Sequence, residues 1–284
     1  MKILIPLDGS DLSESVLPWL QVAALQNQEL ILLRVTDPFL VAPGAMPPSM
    51  GERMQRQTVV AAEEYLSDVE KRFPDLRLKK VTAVGLAREE IARTAEAQQC
   101  DLVVMASHGR SGLARWLLGS VAEGVLRISP CPVLLMRPPV SDISLFHHIL
   151  VPVDGSPVSL AVPHKVSKFL APGGQVTLLR CSGLDDKDFE EPENGSAVQD
   201  YLDNLREGLR NIELDGVERK VLHGEAPECI IGYAQESGCD LIAMGTHGQG
   251  GFRHFWMGSV TEKVARRATC PVLVFPASTH LTKD

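Results

Sequence analysis

Apolar residues along this chain gather in short, nearly continuous runs separated by longer stretches that read as helices. The first run, Lys2 to Leu7, is almost entirely apolar, a pattern that suits a strand buried on both faces of a parallel sheet. Ser10 then reads as a helix N-cap, and Ser156 later in the chain is followed by Pro157, which suits the first helical position. Pro18 and Pro163 fall inside these two helices and are expected to kink them. Further strands are expected at Leu30 to Val35, Lys79 to Val84, Leu102 to Ala106 and Val133 to Met136. A second series is expected at Val176 to Cys181, Lys220 to His223, Leu241 to Gly245 and Val272 to Phe275. Strands alternating with helices predict doubly wound parallel sheets.

The two series are one pattern written twice. Ile3-Leu4-Ile5-Pro6-Leu7-Asp8-Gly9-Ser10 returns as Ile149-Leu150-Val151-Pro152-Val153-Asp154-Gly155-Ser156, an offset of 146 residues. Cys100-Asp101-Leu102, Gly119-Ser120-Val121 and Cys131-Pro132-Val133-Leu134 each return 139 residues later. The first copy is therefore 7 residues longer, with the excess between its second strand and Gly85, around Pro38 to Met54. A period of this length is far longer than a solenoid repeat, so each copy is a whole domain. The expected domains are residues 1–140 and 147–284, with Pro138 and Pro139 ending the first.

Composition narrows the function classes. The chain has 284 residues, enough for two domains with their own cores. No apolar run approaches the roughly 20 residues that span a bilayer, and no signal peptide is visible. A net charge of −8 argues against broad attraction to nucleic acid or anionic lipid. Any phosphate would be held mainly by backbone N–H groups. The six cysteines form no C-x-x-C pair; they read as buried, reduced thiols of a cytoplasmic protein.

The candidate chemistry lies in a glycine-rich turn. The second copy reads Met244-Gly245-Thr246-His247-Gly248, nine residues, then Gly258-Ser259-Val260-Thr261. The first reads Met105-Ala106-Ser107-His108-Gly109, nine residues, then Gly119-Ser120-Val121-Ala122. Glycines let the backbone approach a ligand closely. A helix starting at Ser120 or Ser259 points unpaired N–H groups and its positive dipole end outward, which together make an anion site without lysine. The same residues, Ser120 to Glu123 and Ser259 to Glu262, also spell the capping box S-x-x-E, in which each serine caps its own helix and binds nothing. On the residues alone both readings stand.

The pattern G-x2-G-x9-G-[ST], after an I-P-[LV]-D-G-S first strand and before a C-P-V last strand, resembles the universal stress protein family over essentially the whole chain, as a tandem two-domain member. The resemblance implies two five-stranded parallel sheets of strand order 3-2-1-4-5, an adenine nucleotide alpha-hydrolase-like α/β fold, and ATP as ligand, with or without magnesium. In the second copy it places adenine near Pro152, Val153 and Asp154, Met244 and Gly245 flanking the ribose and adenine, and phosphates at Gly248, Gly258, Ser259, Val260 and Thr261. In the first copy the matching positions are Pro6, Leu7, Asp8, Met105, Gly109, Gly119, Ser120 and Val121. Ala106 departs from the pattern, its methyl group crowding the ribose, and Ala122 lacks the Thr261 hydroxyl, so the second copy carries the fuller motif. The resemblance further implies that the C-P-V strands pair the two domains as an intramolecular pseudo-dimer; a homodimer beyond that is a separate expectation. It implies a regulatory role in stress tolerance. The rival readings are a slow ATPase or phosphotransferase, for which no Walker lysine motif is present, and a nucleotide-free interaction protein.

Remaining residues divide between ligand and scaffold. Asp8 and Asp154 suit a base amino group or an Asx turn leading into the helix. His108 and His247 have no serine and acid partners in the sequence and read as structural. Arg110 and Arg115 have Gln249 and His254 as counterparts, so they are no shared requirement. The acidic stretch Asp185 to Asp200 reads as a solvated loop or a magnesium carrier. Pro38 to Met54 reads as a surface loop, a lid or an interface element.

Overall fold

In the computed structural model the chain divides into two compact units, Met1–Asp142 and Ile143–Asp284. The structure describes residues 1–22, 28–37, 48–107, 118–137, 146–182, 216–246 and 257–276. His108, Gly109, Arg110, Arg115, His247, Gly248, Gln249, His254 and the stretch Asp185 to Asp200 lie outside these residues.

The first unit holds five parallel strands: β1 (Lys2–Pro6), β2 (Glu29–Thr36), β3 (Leu78–Val84), β4 (Leu102–Ala106) and β5 (Val133–Met136). They lie in the order β3-β2-β1-β4-β5. The second unit holds β6 (Phe146–Pro152), β7 (Leu170–Ser182), β8 (Gly216–His223), β9 (Leu241–Gly245) and β10 (Val272–Phe275). Their order is β8-β7-β6-β9-β10, again parallel throughout. Each unit is thus the doubly wound 3-2-1-4-5 sheet. Its centre explains the apolar runs: Ile3, Leu4, Ile5, Leu102, Val103 and Val104 have no solvent exposure, because helices cover both faces of such a sheet.

The helices follow their end signals. Ser10 caps α1 (Asp11–Glu14), its side chain accepting from Ser13 N. Pro18 ends that helix early: it has no N–H for the Glu14 carbonyl, and the chain restarts as α2 (Leu17–Val22) with the proline in its first turn. The second unit keeps one helix here, α6 (Pro157–Lys165), capped by Ser156 and containing Pro163. Between them in sequence come α3 (Pro48–Arg72), α4 (Ala87–Ala97) and α5 (Ser120–Ile128). The second unit continues with α7 (Ala226–Glu236) and α8 (Ser259–Arg267). Residues 48–54, read from sequence as part of a loop, lid or interface, are the first turns of α3; its inward face is Ala62, Leu66 and Val69.

None of the six cysteines is in a disulfide, but only Cys100, Cys131 and Cys239 are buried. Cys181, Cys229 and Cys270 are partly exposed. This corrects the expectation of uniformly buried thiols.

Helix α6 approaches the end of β9 through a glycine. A Cβ on Gly245 would run into Val158 Cγ1 and sit 3.3 Å from Val158 Cβ. Valine is stiff at χ1 and cannot swing aside. Gly245→Ala is therefore expected to destabilise the protein by about 1–3 kcal/mol, read as a lower urea midpoint. Adding Val158→Ala should return most of that loss in a double-mutant cycle.

Candidate functional site

The strand order reverses between β1 and β4, and doubly wound sheets bind ligands at the carboxyl ends of the strands at such a point. Two turns meet there in each unit. The first follows β1 and is built by its own side chains. Asp8 Oδ1 accepts from Ser10 N at 3.0 Å and from Ser10 Oγ at 2.5 Å. Ser13 Oγ accepts from Asp8 N at 3.2 Å and donates to Ser10 O at 2.9 Å. Between them Gly9 adopts φ +75°, which only glycine takes without strain. The second unit repeats the network with Asp154, Ser156 and Ser159: Ser156 N and Oγ reach Asp154 Oδ1 at 3.0 and 2.7 Å, and Asp154 N donates to Ser159 Oγ at 3.3 Å. The Asx turn is therefore formed in both copies. It fixes one carboxylate oxygen of each aspartate beside its strand end.

In the first unit this turn is braced from behind. Arg34 Nη1 donates to Leu7 O at 3.1 Å and its guanidinium lies 5.4 Å from the Tyr65 ring centre. Tyr65 donates its hydroxyl to Glu14 Oε1 and Arg72 donates to Glu14 Oε2, both at 2.7 Å. Burial, then the hydrogen bond to Glu14, raises the Tyr65 phenol above its usual range, so it remains a donor.

The second turn leads from β4 into α5, and from β9 into α8. Here the structure corrects the capping-box reading. The N-cap of α5 is Gly119, with φ −63° and ψ 145°, and no side chain caps it. Ser120 is the first helical residue, and Glu123 instead pairs with Arg127 at 2.6 Å. In α8 the N-cap is Gly258, again without a side-chain cap, and Glu262 pairs with Arg266 at 2.9 Å. Each cap is held against its strand end: Gly119 N donates to Ser107 O at 2.9 Å and Gly258 N to Thr246 O at 2.7 Å. Helix geometry gives the N–H groups of the first turn no carbonyl within the helix.

In the first unit both turns open on one cavity of about 270 Å3. Of the first-copy positions singled out from sequence, it gathers Pro6, Leu7, Asp8, Met105, Gly119, Ser120 and Val121. Sequence reasoning missed its remaining walls, which include Leu33 and Val35 from β2 and Ala87 and Ile91 from α4. It also missed Ser13, although Ser13 and Ser159 stand at the same distance from Asp8 and Asp154 and were detectable on that ground. Asp8 is the one ionisable side chain among the described lining residues. Ala106 also lines this cavity. In the second unit Pro152, Val153, Asp154, Met244, Gly245, Gly258, Ser259, Val260 and Thr261 occupy the corresponding strand ends and helix start. Thr261 is buried and donates its hydroxyl to Gly245 O at 2.8 Å, tying α8 to the end of β9.

The sequence model described as the Universal stress protein family matches residues 1–137 and again 145–276. The chain belongs to the universal stress protein family. It is 26% identical over 294 aligned residues to a universal stress protein of Mycolicibacterium smegmatis, covering 96% of both chains. It is 36% identical over 146 residues to a universal stress protein of Methanocaldococcus jannaschii, covering 50% of this chain and 84% of that one. The fold is shared with the crystal structure of a universal stress protein from Archaeoglobus fulgidus, at a TM-score of 0.74 and 24% identity, covering 97% of this chain and 98% of that one.

Among the described residues of these two universal stress protein domains, no cluster of three or more His, Cys, Asp or Glu side chains could hold a metal ion. None of the described helices is long and apolar enough to cross a membrane.

The Thr261 contact has a measurable cost. Thr261→Val keeps the shape but leaves the Gly245 carbonyl without its donor, and is expected to destabilise the protein by about 1–3 kcal/mol. Thr261→Ser should recover most of the loss, checked by urea denaturation of the three proteins side by side.

Proposed function

We propose that each domain of this universal stress protein binds an adenine nucleotide, ATP, at the meeting of its two turns. One observation carries the reading: the uncapped amino end of α5 and the Asp8 turn face the same cavity. A helix start of this kind favours anions through its N–H groups and its dipole. The chain's net charge of −8 offers phosphates no general attraction, so a local backbone site is the economical way to hold them.

In this reading the triphosphate lies over Gly119, Ser120 and Val121, together with Gly109 of the preceding loop. The base lies against Pro6 and Leu7, its amino group donating to the Asp8 carboxylate that Ser10 holds in place. Met105 and the β4 end contact the ribose. The second domain uses Pro152, Val153, Asp154, Met244, Gly245, Gly248, Gly258, Ser259, Val260 and Thr261 in the same way. Magnesium enters on the ATP phosphates. The nucleotide serves regulation: the occupied protein is a cytoplasmic binding module of the stress response, working as a homodimer, with domains bounded near residues 140 and 147.

Gly119→Asp and Gly258→Asp test this reading without damaging the helices. Aspartate is a favourable N-cap, and the backbone angles at Gly119 suit any residue. Its carboxylate would occupy the anion site with the wrong charge. Calorimetry should find ATP binding to two sites in the wild-type chain. Each single variant should weaken one site at least tenfold, about 1.4 kcal/mol, with no loss of thermal stability. Wild-type affinity in both variants, or no binding by the folded wild-type chain, would refute the proposal. Phosphate release above background would instead assign the site to a slow ATPase.

A further inference from the structure

The two domains differ in the wall beside the candidate site. Leu7 N donates to Leu33 O in the first unit, and Val153 N donates to Leu179 O in the second. Three residues further along β2 and β7, Gly85 N reaches Thr36 O, and Gly224 N reaches Ser182 O. This ladder makes Cys181 the counterpart of Val35, which lines the first cavity. The 139-residue offset makes Cys229, in the first turn of α7, the counterpart of Glu90 in α4. Where the first domain carries a valine and a glutamate, the second carries two thiols.

These thiols are neighbours, and Cys229 is one of the groups that raise the Cys181 thiol. Cys181 Sγ lies 3.9 Å from Ala226 O and Cys229 Sγ 3.7 Å from His223 O, so both sulfurs lie in the gap at the turn from β8 into α7. Gly224 keeps that gap open: a Cβ there would stand 3.2 Å from Cys229 Sγ. Both cysteines are partly exposed, unlike Cys100, Cys131 and Cys239.

We propose that Cys181 and Cys229 form a reversible intramolecular disulfide, closed by a peroxide and reopened by a thiol reductant. This inference does not depend on nucleotide binding. Burial, together with the adjacent Cys229, pushes the Cys181 thiol up to about 12. The Cys229 sulfur makes the more exposed contact of the two, so it is the one a peroxide reaches first. The Cys229 thiolate attacks one peroxide oxygen, the O–O bond breaks, and the departing hydroxide leaves as water after taking a proton. The Cys181 sulfur then attacks the Cys229 sulfenic acid, the S–O bond breaks, and the Cys181 proton leaves in a second water. Two thiols lose two electrons, and one peroxide gains them. Closing the link brings the sulfurs to a bond of about 2.05 Å.

The test treats reduced full-length protein with hydrogen peroxide, blocks remaining thiols, digests without reductant and maps the peptides by mass spectrometry. The expected result is a linked peptide joining Cys181 to Cys229 that disappears with dithiothreitol. Cys270→Ser should keep the link, and Cys229→Ser should abolish it. The wild-type map decides without any variant. Sulfinic or sulfonic acid on Cys229 beside a free Cys181, linkage of either cysteine elsewhere, or both thiols unmodified would overturn the proposal.

Discussion

An α-helix begins with N–H groups that its own carbonyls cannot reach, and the site in each domain is arranged around one such start. Gly119 and Gly258 occupy the N-cap but bring no side-chain oxygen. Their own N–H groups are spent on Ser107 O and Thr246 O, which fixes the helix starts against the ends of β4 and β9. Serine or aspartate at the cap would satisfy the helix internally. Glycine leaves its first turn directed outward, into a cavity whose described lining offers no cationic side chain. The sheet topology then supplies the rest, because the reversal of strand order between β1 and β4 leaves a crevice beside these groups rather than another strand.

The second turn is rigid for a separate reason. Asp8, Ser10 and Ser13 bond to one another before any ligand arrives, and Asp154, Ser156 and Ser159 do the same. A carboxylate placed by two donors is preorganised, so orienting it costs a ligand little. The Arg34, Tyr65, Glu14 and Arg72 cluster stiffens this corner further in the first domain. Position 160, the counterpart of Glu14, is a leucine, so the second domain has no carboxylate at that position.

The strands were legible because sheets covered on both faces demand unbroken apolar runs, as at Ile3 to Ile5 and Leu102 to Val104. Helix α3 was not. Its single apolar stripe of Ala62, Leu66 and Val69 is diluted by charged residues, and the prolines before it suggested a loop. S-x-x-E misled because the same letters serve another geometry: a first-turn serine followed by a glutamate that pairs four residues ahead, with Arg127 or Arg266. Gly245, which the resemblance places beside the nucleotide, also makes room for the approach of Val158. Leu33, Val35, Ala87 and Ile91 could not be assigned to a cavity from sequence, because an apolar residue in a buried strand or helix looks the same whether it faces the core or a ligand.

The central claim is that backbone amides at the helix starts are the phosphate ligands. It is tested most directly by following 15N amide resonances of the full-length protein during an ATP titration. The account predicts saturable shifts centred on Ser120, Val121 and Ala122 and on Ser259, Val260 and Thr261, larger with ATP than with adenosine. Shifts absent from both helix starts, while ATP binds through exposed Lys or Arg side chains elsewhere, would contradict it.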